Sequence, residues 1–142
     1  VQAAIGSAQL QKLDTMQRRR REIVDRYSEV LGDMPELELP RARGHVSPAW
    51  HLYPVRVAPD LVRGGRDGFI ERMTALNIGT SVHFIPLHLH PFYREKYGFQ
   101  QEDYPVAQAA FERLVSLPLH PGLADSDIDD VAQAVRLAAR GA

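Results

Sequence analysis

The chain has 142 residues, enough for one domain with a single buried core. Hydrophobic residues make up 44% and charged residues 25%, the balance of an ordinary globular protein. A net charge of -1 supplies no drive toward nucleic acid or an anionic membrane, and the absence of cysteine excludes disulfides, thiolate metal sites and a cysteine nucleophile.

The lack of cysteine also fits a reducing cytoplasm. No apolar run approaches the roughly 20 residues of a membrane span. Lysine is scarce: of 17 basic residues, only Lys12 and Lys96 are lysines. Any chemistry that needs a lysine amine must use one of these two.

Residues 3–31 carry one long helical pattern. Leu10, Leu13 and Met16, then Ile23, Tyr27 and Val30, recur at helical spacing, and Gly32 follows as a C-cap. About 29 residues at ~1.5 Å each give a helix of roughly 43 Å, longer than such a domain needs. Its first turns are small (Ala3, Ala4, Gly6, Ser7, Ala8), which lets another backbone approach closely. Val1-Gln2-Ala3-Ala4-Ile5 has no initiator Met and no basic-then-apolar signal pattern, so the chain reads as a piece cut inside an element.

Residues 35–40 read as a short extended piece. Residues 48–57 alternate with period two, with Ala49, His51, Tyr53, Val55 and Val57 on one face and Trp50, Leu52 and Arg56 on the other. Apolar residues on both faces predict an interior strand. A turn at 59–65 leads to a helix at 66–77 with a stripe of Phe69, Ile70, Met73 and Leu76. Gly79 leads into a strand at 80–85, then a loop at 86–103 rich in Pro, His and Tyr. Pro105 opens a helix that runs to Leu114. Residues 116–119 form a short strand, and Asp125 or Ser126 caps a last helix on Ile128, Val131, Ala132, Val135 and Ala139. This order predicts an α+β fold: a small, mainly antiparallel sheet with helices on one face, preceded by the long helix.

Several groups invite a chemical reading. His83, His88 and His90 are spaced as metal ligands can be, but no acid lies among them and no helical His pair at i, i+4 exists, so no metal is expected. Arg18, Arg19, Arg20 and Arg21 encircle a helix at ~100° per residue and form no nucleic-acid face; they read as solvated, with one stem along apolar surface. Asp127, Asp129 and Asp130 favour the positive end of the last helix. There is no phosphate-binding glycine loop. Ser81 and His83 share a strand face, but no third group completes a hydrolytic triad.

The segment from Asn77 to His88 is the most unusual. A strand delivers His83 and Phe84 beside a Pro-kinked loop, with Tyr93 and Tyr97 close behind. That convergence suits either a polar, ring-bearing ligand or a buried aromatic cluster with satisfied histidines.

These motifs resemble the DegT/DnrJ/StrS family of sugar-nucleotide aminotransferases. The resemblance rests on Ile78-Gly79-Thr80, His83-Phe84, Pro86-Leu87-His88 and Tyr93-Arg94-Glu95. It extends to Val1 through Gly6 with Gln9-Leu10, Leu13-Asp14, the arginine run and Tyr27. It continues through His51-Leu52-Tyr53, Arg66-Asp67, Ser116-Leu117-Pro118-Leu119, Ser126-Asp127 and Val131.

The family implies a fold-type-I enzyme that uses pyridoxal 5'-phosphate (PLP), usually as a cytoplasmic homodimer. It moves an amino group, commonly from glutamate, to a nucleotide-linked keto sugar, as in cell-surface polysaccharide biosynthesis. By the same resemblance, residues 1–32 are a connecting helix from a larger domain and residues 33–142 the carboxy-terminal small domain. The Schiff-base lysine and the cofactor ligands belong to that larger domain, and neither Lys12 nor Lys96 matches the lysine segment. The chain alone is then inactive. His83, with Phe84 and His88, falls on the substrate side of the cleft. The competing expectation is a non-catalytic binding or dimerisation module derived from this family.

Overall fold

The computed structural model describes residues 1–141. Helices α1 (Gln2–Leu10) and α2 (Leu13–Leu31) precede strand β1 (Leu37–Glu38), strand β2 (Tyr53–Val57) and helix α3 (Gly65–Ala75). Helix α4 (Pro91–Tyr97) lies between two 3₁₀ turns, Leu87–Leu89 and Gln101–Asp103. Helix α5 (Pro105–Arg113), strand β3 (Leu114–Leu117) and helix α6 (Asp125–Arg140) complete the chain. The fold is α+β, built on a three-stranded antiparallel sheet in the order β1-β2-β3.

Register explains the core. Tyr53 pairs with Leu117, Val55 with Val115 and Val57 with Leu37. Directly opposed residues share a face, so these six form one apolar surface, and all are buried. Helix α2 meets it through Tyr27, whose ring lies 5.2 Å from that of Tyr53. Helix α3 adds Phe69 and Met73, and α6 adds Ile128, Val131, Val135 and Ala138. Each such valine, isoleucine or phenylalanine contributes about 1.5–3 kcal/mol by leaving water. The next residue of β3, Ser116, pairs with Pro54 and points to the opposite face by the strand's alternation, yet it too is buried.

Several expectations from sequence need correction. The long helix is interrupted at Gln11 and Lys12. The Lys12 amide donates to Gln9 O at 3.0 Å, a tighter i→i−3 closure, before α2 resumes with Met16 on Lys12 O. No Gly or Pro marks the break, and α1 buries no residue, so no packing enforces continuity. The 48–57 strand shortens to Tyr53–Val57. Trp50 has φ 46°, which ends the extended run, and Arg20 takes the carbonyls of Trp50 and His51. Ala49 and His51 are therefore exposed. β2 is central as expected, with Pro54 and Arg56 half-buried on its second face.

The 80–85 strand reduces to a single bridge between Ser81 and Ser116. The 86–103 loop instead contains α4, opened by Pro91 at its first turn and closed by Gly98 at φ 71°. The last strand sits two residues earlier than expected, and Pro118, which has no N–H to donate, ends it. The cap of α6 is Ala124, whose N–H donates to Asp127 Oδ2 at 2.8 Å.

The arginine run does more than face solvent. Arg19 donates to Leu123 O and to Asp125, both at 2.7 Å. Arg20 also reaches Leu119 O at 3.4 Å. Both stems tie α2 to the segment ahead of α6. No helix among the described residues is long and apolar enough to cross a membrane.

Candidate functional site

The path from α3 to β3 positions the site. At the end of α3 the chain reverses through Asn77, at φ 61°, and the Ile78 amide donates to Met73 O at 2.9 Å. Asn tolerates this left-handed conformation better than most residues. Ser81 then exchanges both backbone hydrogen bonds with Ser116, at 3.2 and 2.7 Å, which fixes it to the free edge of β3.

Two residues later the His83 side chain returns to the same serine. Its Nδ1 shares a 3.0 Å hydrogen bond with Ser116 Oγ. His83 is half-buried, and its Nε2 has no partner among the described residues. If the serine hydroxyl donates to Nδ1, Nε2 carries the proton and is a donor; in the other tautomer it accepts. Phe84, joined to His83 by a cis peptide bond, is 74% exposed and meets the His83 ring edge-on at 4.8 Å. A fixed polar nitrogen thus stands beside a solvent-facing aromatic ring.

His88 is placed differently. It sits in the 3₁₀ turn Leu87–Leu89 and is only 5% exposed. Its ring packs against Tyr104 at 4.8 Å, and its Nε2 is buried without a hydrogen-bond partner. It belongs to an aromatic group separate from the main core. There Tyr97 stacks near-parallel on Tyr93 and Phe99, and Phe99 meets Tyr104 at 90°. These rings border a recess of about 570 Å³ that also includes Leu87 and Ala107. The structure therefore brings His83 and Phe84 together and sets His88 in the adjoining recess.

Sequence reasoning did not single out Ser116 or Tyr104. A serine inside the apolar run Leu114-Val115-Ser116-Leu117 was the available signal for the first, since a buried hydroxyl needs a partner. Tyr104 carried no comparable mark.

Lys12 is exposed at the joint between α1 and α2. Lys96 is exposed on α4 with Nζ 5.3 Å from both the Phe92 and Tyr97 rings. A reactive lysine is usually desolvated, and both of these are exposed. The described residues contain no group of three or more His, Asp or Glu placed to hold a metal.

The model of the DegT/DnrJ/EryC1/StrS aminotransferase family matches residues 1–136. The spore coat polysaccharide biosynthesis protein SpsC of Bacillus subtilis is 44% identical over 146 residues, covering 100% of this chain and 37% of SpsC. The aminotransferase TlmJ from Streptoalloteichus hindustanus superposes with a TM-score of 0.84 at 34% identity, over 96% of this chain and 35% of TlmJ. The PLP-form of Spr1654, a putative sugar aminotransferase from Streptococcus pneumoniae, gives 0.89 at 28% identity, over 98% and 35% of the two chains. The chain thus spans about a third of the length of the relatives it matches. With the family model covering all but its last few residues, this chain belongs to the DegT/DnrJ/EryC1/StrS aminotransferase family.

Proposed function

We propose that this chain is the carboxy-terminal part of a PLP-dependent enzyme that transfers an amino group to a nucleotide-linked keto sugar. In this reading glutamate is the donor, residues 1–32 connect to a larger domain, and residues 33–142 form the small domain. The intact protein works as a cytoplasmic homodimer in the synthesis of a surface polysaccharide. The names of its relatives support the sugar and the pathway class: SpsC is a spore coat polysaccharide biosynthesis protein, and Spr1654 is a putative sugar aminotransferase with a PLP-form. PLP supplies the electron sink when bound. It is held by residues outside this chain.

The observation that carries the reading is the pairing of His83 with Phe84. Nδ1 is occupied by Ser116, so the imidazole is oriented and Nε2 is available to a hydroxyl or phosphate oxygen. The exposed Phe84 ring beside it covers the apolar face of a sugar. His88 supports the same wall from the adjoining turn.

The test is His83→Asn in the intact protein, read through its two half-reactions. Loss of one hydrogen bond in the complex costs about 1–3 kcal/mol, so KM for the sugar nucleotide rises roughly five- to 150-fold. The half-reaction with the amino donor needs no sugar and stays near its original rate. Equal loss in both half-reactions would make His83 structural.

A further inference from the structure

The joint between α1 and α2 has the backbone of a hinge. The Gln11 amide reaches Ser7 O at a long 3.4 Å, and the Lys12 amide closes on Gln9 O at 3.0 Å, one residue short of its helical partner. A 3₁₀ closure in the middle of a helical run often marks a hinge. Lys12 stands at φ −97° and ψ −8°. Each angle is about 35° from the regular α-helix and still in the right-handed region. The joint can therefore straighten or bend further without crossing a forbidden conformation. No side-chain cap secures the start of α2.

The two sides of the joint are held differently. Downstream, arginines clamp α2 to the body: Arg19 to Leu123 O and Asp125, Arg20 to Trp50 O and Leu119 O, and Arg26 to Asp129. That grip begins at Arg19, roughly two turns beyond Lys12. Upstream, α1 buries nothing and leaves Ile5 and Leu10 exposed. Beside the joint, a recess of about 710 Å³ separates Lys12, Thr15 and Met16 from the turn at Pro121 and Gly122. The bend thus has space to change. The clamped body includes β3, whose Ser116 holds His83. A swing of α1 against α2 displaces His83 and Phe84 relative to whatever surface α1 is docked on.

We infer that the Gln11–Lys12 joint is a hinge on which residues 13–141 turn against the rest of the intact protein, carrying the His83–Phe84 wall onto the sugar. This rests on the proposed function, which puts a larger domain on the α1 side. It adds a moving part and the residues that bend. A hinge needs only a few element-terminal positions that absorb the backbone change, and Gln11 and Lys12 are such positions.

The experiment uses the intact protein in a cysteine-free background. Spin labels at Ser7→Cys and Gln133→Cys, diluted with unlabelled subunits, report the distance between α1 and α6. Adding the keto-sugar nucleotide should shift that distance by at least about 2 Å. In a second variant, Ala8→Cys and Thr15→Cys flank the joint at i and i+7 and are bridged by a reducible bifunctional maleimide. The bridge should slow the sugar half-reaction at least about fivefold and spare the amino-donor half-reaction, and reduction should restore the rate. A Ser7–Gln133 distance that stays fixed with and without the sugar nucleotide overturns the hinge, whatever the bridged protein does. Full activity of the bridged protein in both half-reactions overturns it as well. His83→Asn separates this from the wider reading. A raised KM in that variant with a fixed distance leaves the proposed function standing and removes only the hinge. A shifting distance with no effect of His83→Asn keeps the hinge and removes the role given to His83.

Discussion

His83 and Ser116 are joined twice: through the 3.0 Å side-chain hydrogen bond, and through the backbone bridge that Ser81 makes to the same serine. The imidazole is therefore positioned by the sheet edge and not by its own loop. Ser116 is a positioning residue in this arrangement. Ser116→Ala keeps the backbone bridge and the β2–β3 pairing but frees the ring. A lost neutral hydrogen bond is worth about 0.5–1.5 kcal/mol, so KM for the sugar nucleotide should rise roughly two- to twelve-fold. Ser116→Thr, which restores a hydroxyl, should recover part of this. An unchanged KM in Ser116→Ala would mean that His83 does not need the anchor.

The regular elements were legible where periodicity and packing agree. α3, α6 and the Tyr53–Val57 core strand each bury an apolar face that repeats at the element's own period. The misses are tertiary. Arg20 captures the carbonyls of Trp50 and His51 from another element, and no local pattern announces that. The 80–85 stretch alternates like a strand, but only Ser81 finds an edge to pair with. At the candidate site, His83, Phe84 and His88 were visible as unusual residues in a Pro-rich setting. Their division between a half-buried His83 with an exposed Phe84 and a recessed His88 ring was not visible, and α4, which follows them, had only Pro91 and Gly98 as signals within an expected loop.

The two lysines give a direct check on where the cofactor is held. This chain, incubated with PLP, reduced with borohydride and mapped by mass spectrometry, should show at most scattered labelling at Lys12 and Lys96. Both are exposed, so neither has the desolvated setting that activates an amine. Stoichiometric labelling of one of them would overturn the assignment of the cofactor to residues outside the chain.

The first helix makes a prediction about packing. Residues 1–15 are all exposed, including Ile5, Leu10 and Leu13. A helix of this length without tertiary contacts is marginal in water. Amide exchange over residues 2–10 in a monomeric sample of this chain should therefore approach the unstructured rate, whereas α2 from Ile23 onward should be protected. In the intact protein the same amides should slow by at least about tenfold, because the apolar residues gain a partner surface. Strong protection in the proven monomer would contradict this.

The core also carries an alkaline liability. Burial, then the neighbouring Tyr53 and Asp127, pushes the Tyr27 phenol well above its usual value. Burial raises Tyr53 as well, against a hydrogen bond with Ser28 that lowers it. In the unfolded chain both phenols lose their protons near pH ~10, while the folded chain keeps them. The unfolded state then binds fewer protons, so stability falls as pH rises above that point, by at most about 1.4 kcal/mol per pH unit per tyrosine. Below it the contribution is fully present. Tyr27→Phe removes the titrating group but leaves Pro118 O without the hydroxyl that donates to it at 2.9 Å, a cost of about 1 kcal/mol at neutral pH. Urea unfolding at pH 8 and again above pH 10 should show the wild-type chain losing more stability across that interval than Tyr27→Phe does. Equal losses would mean that alkaline unfolding is driven elsewhere in the chain.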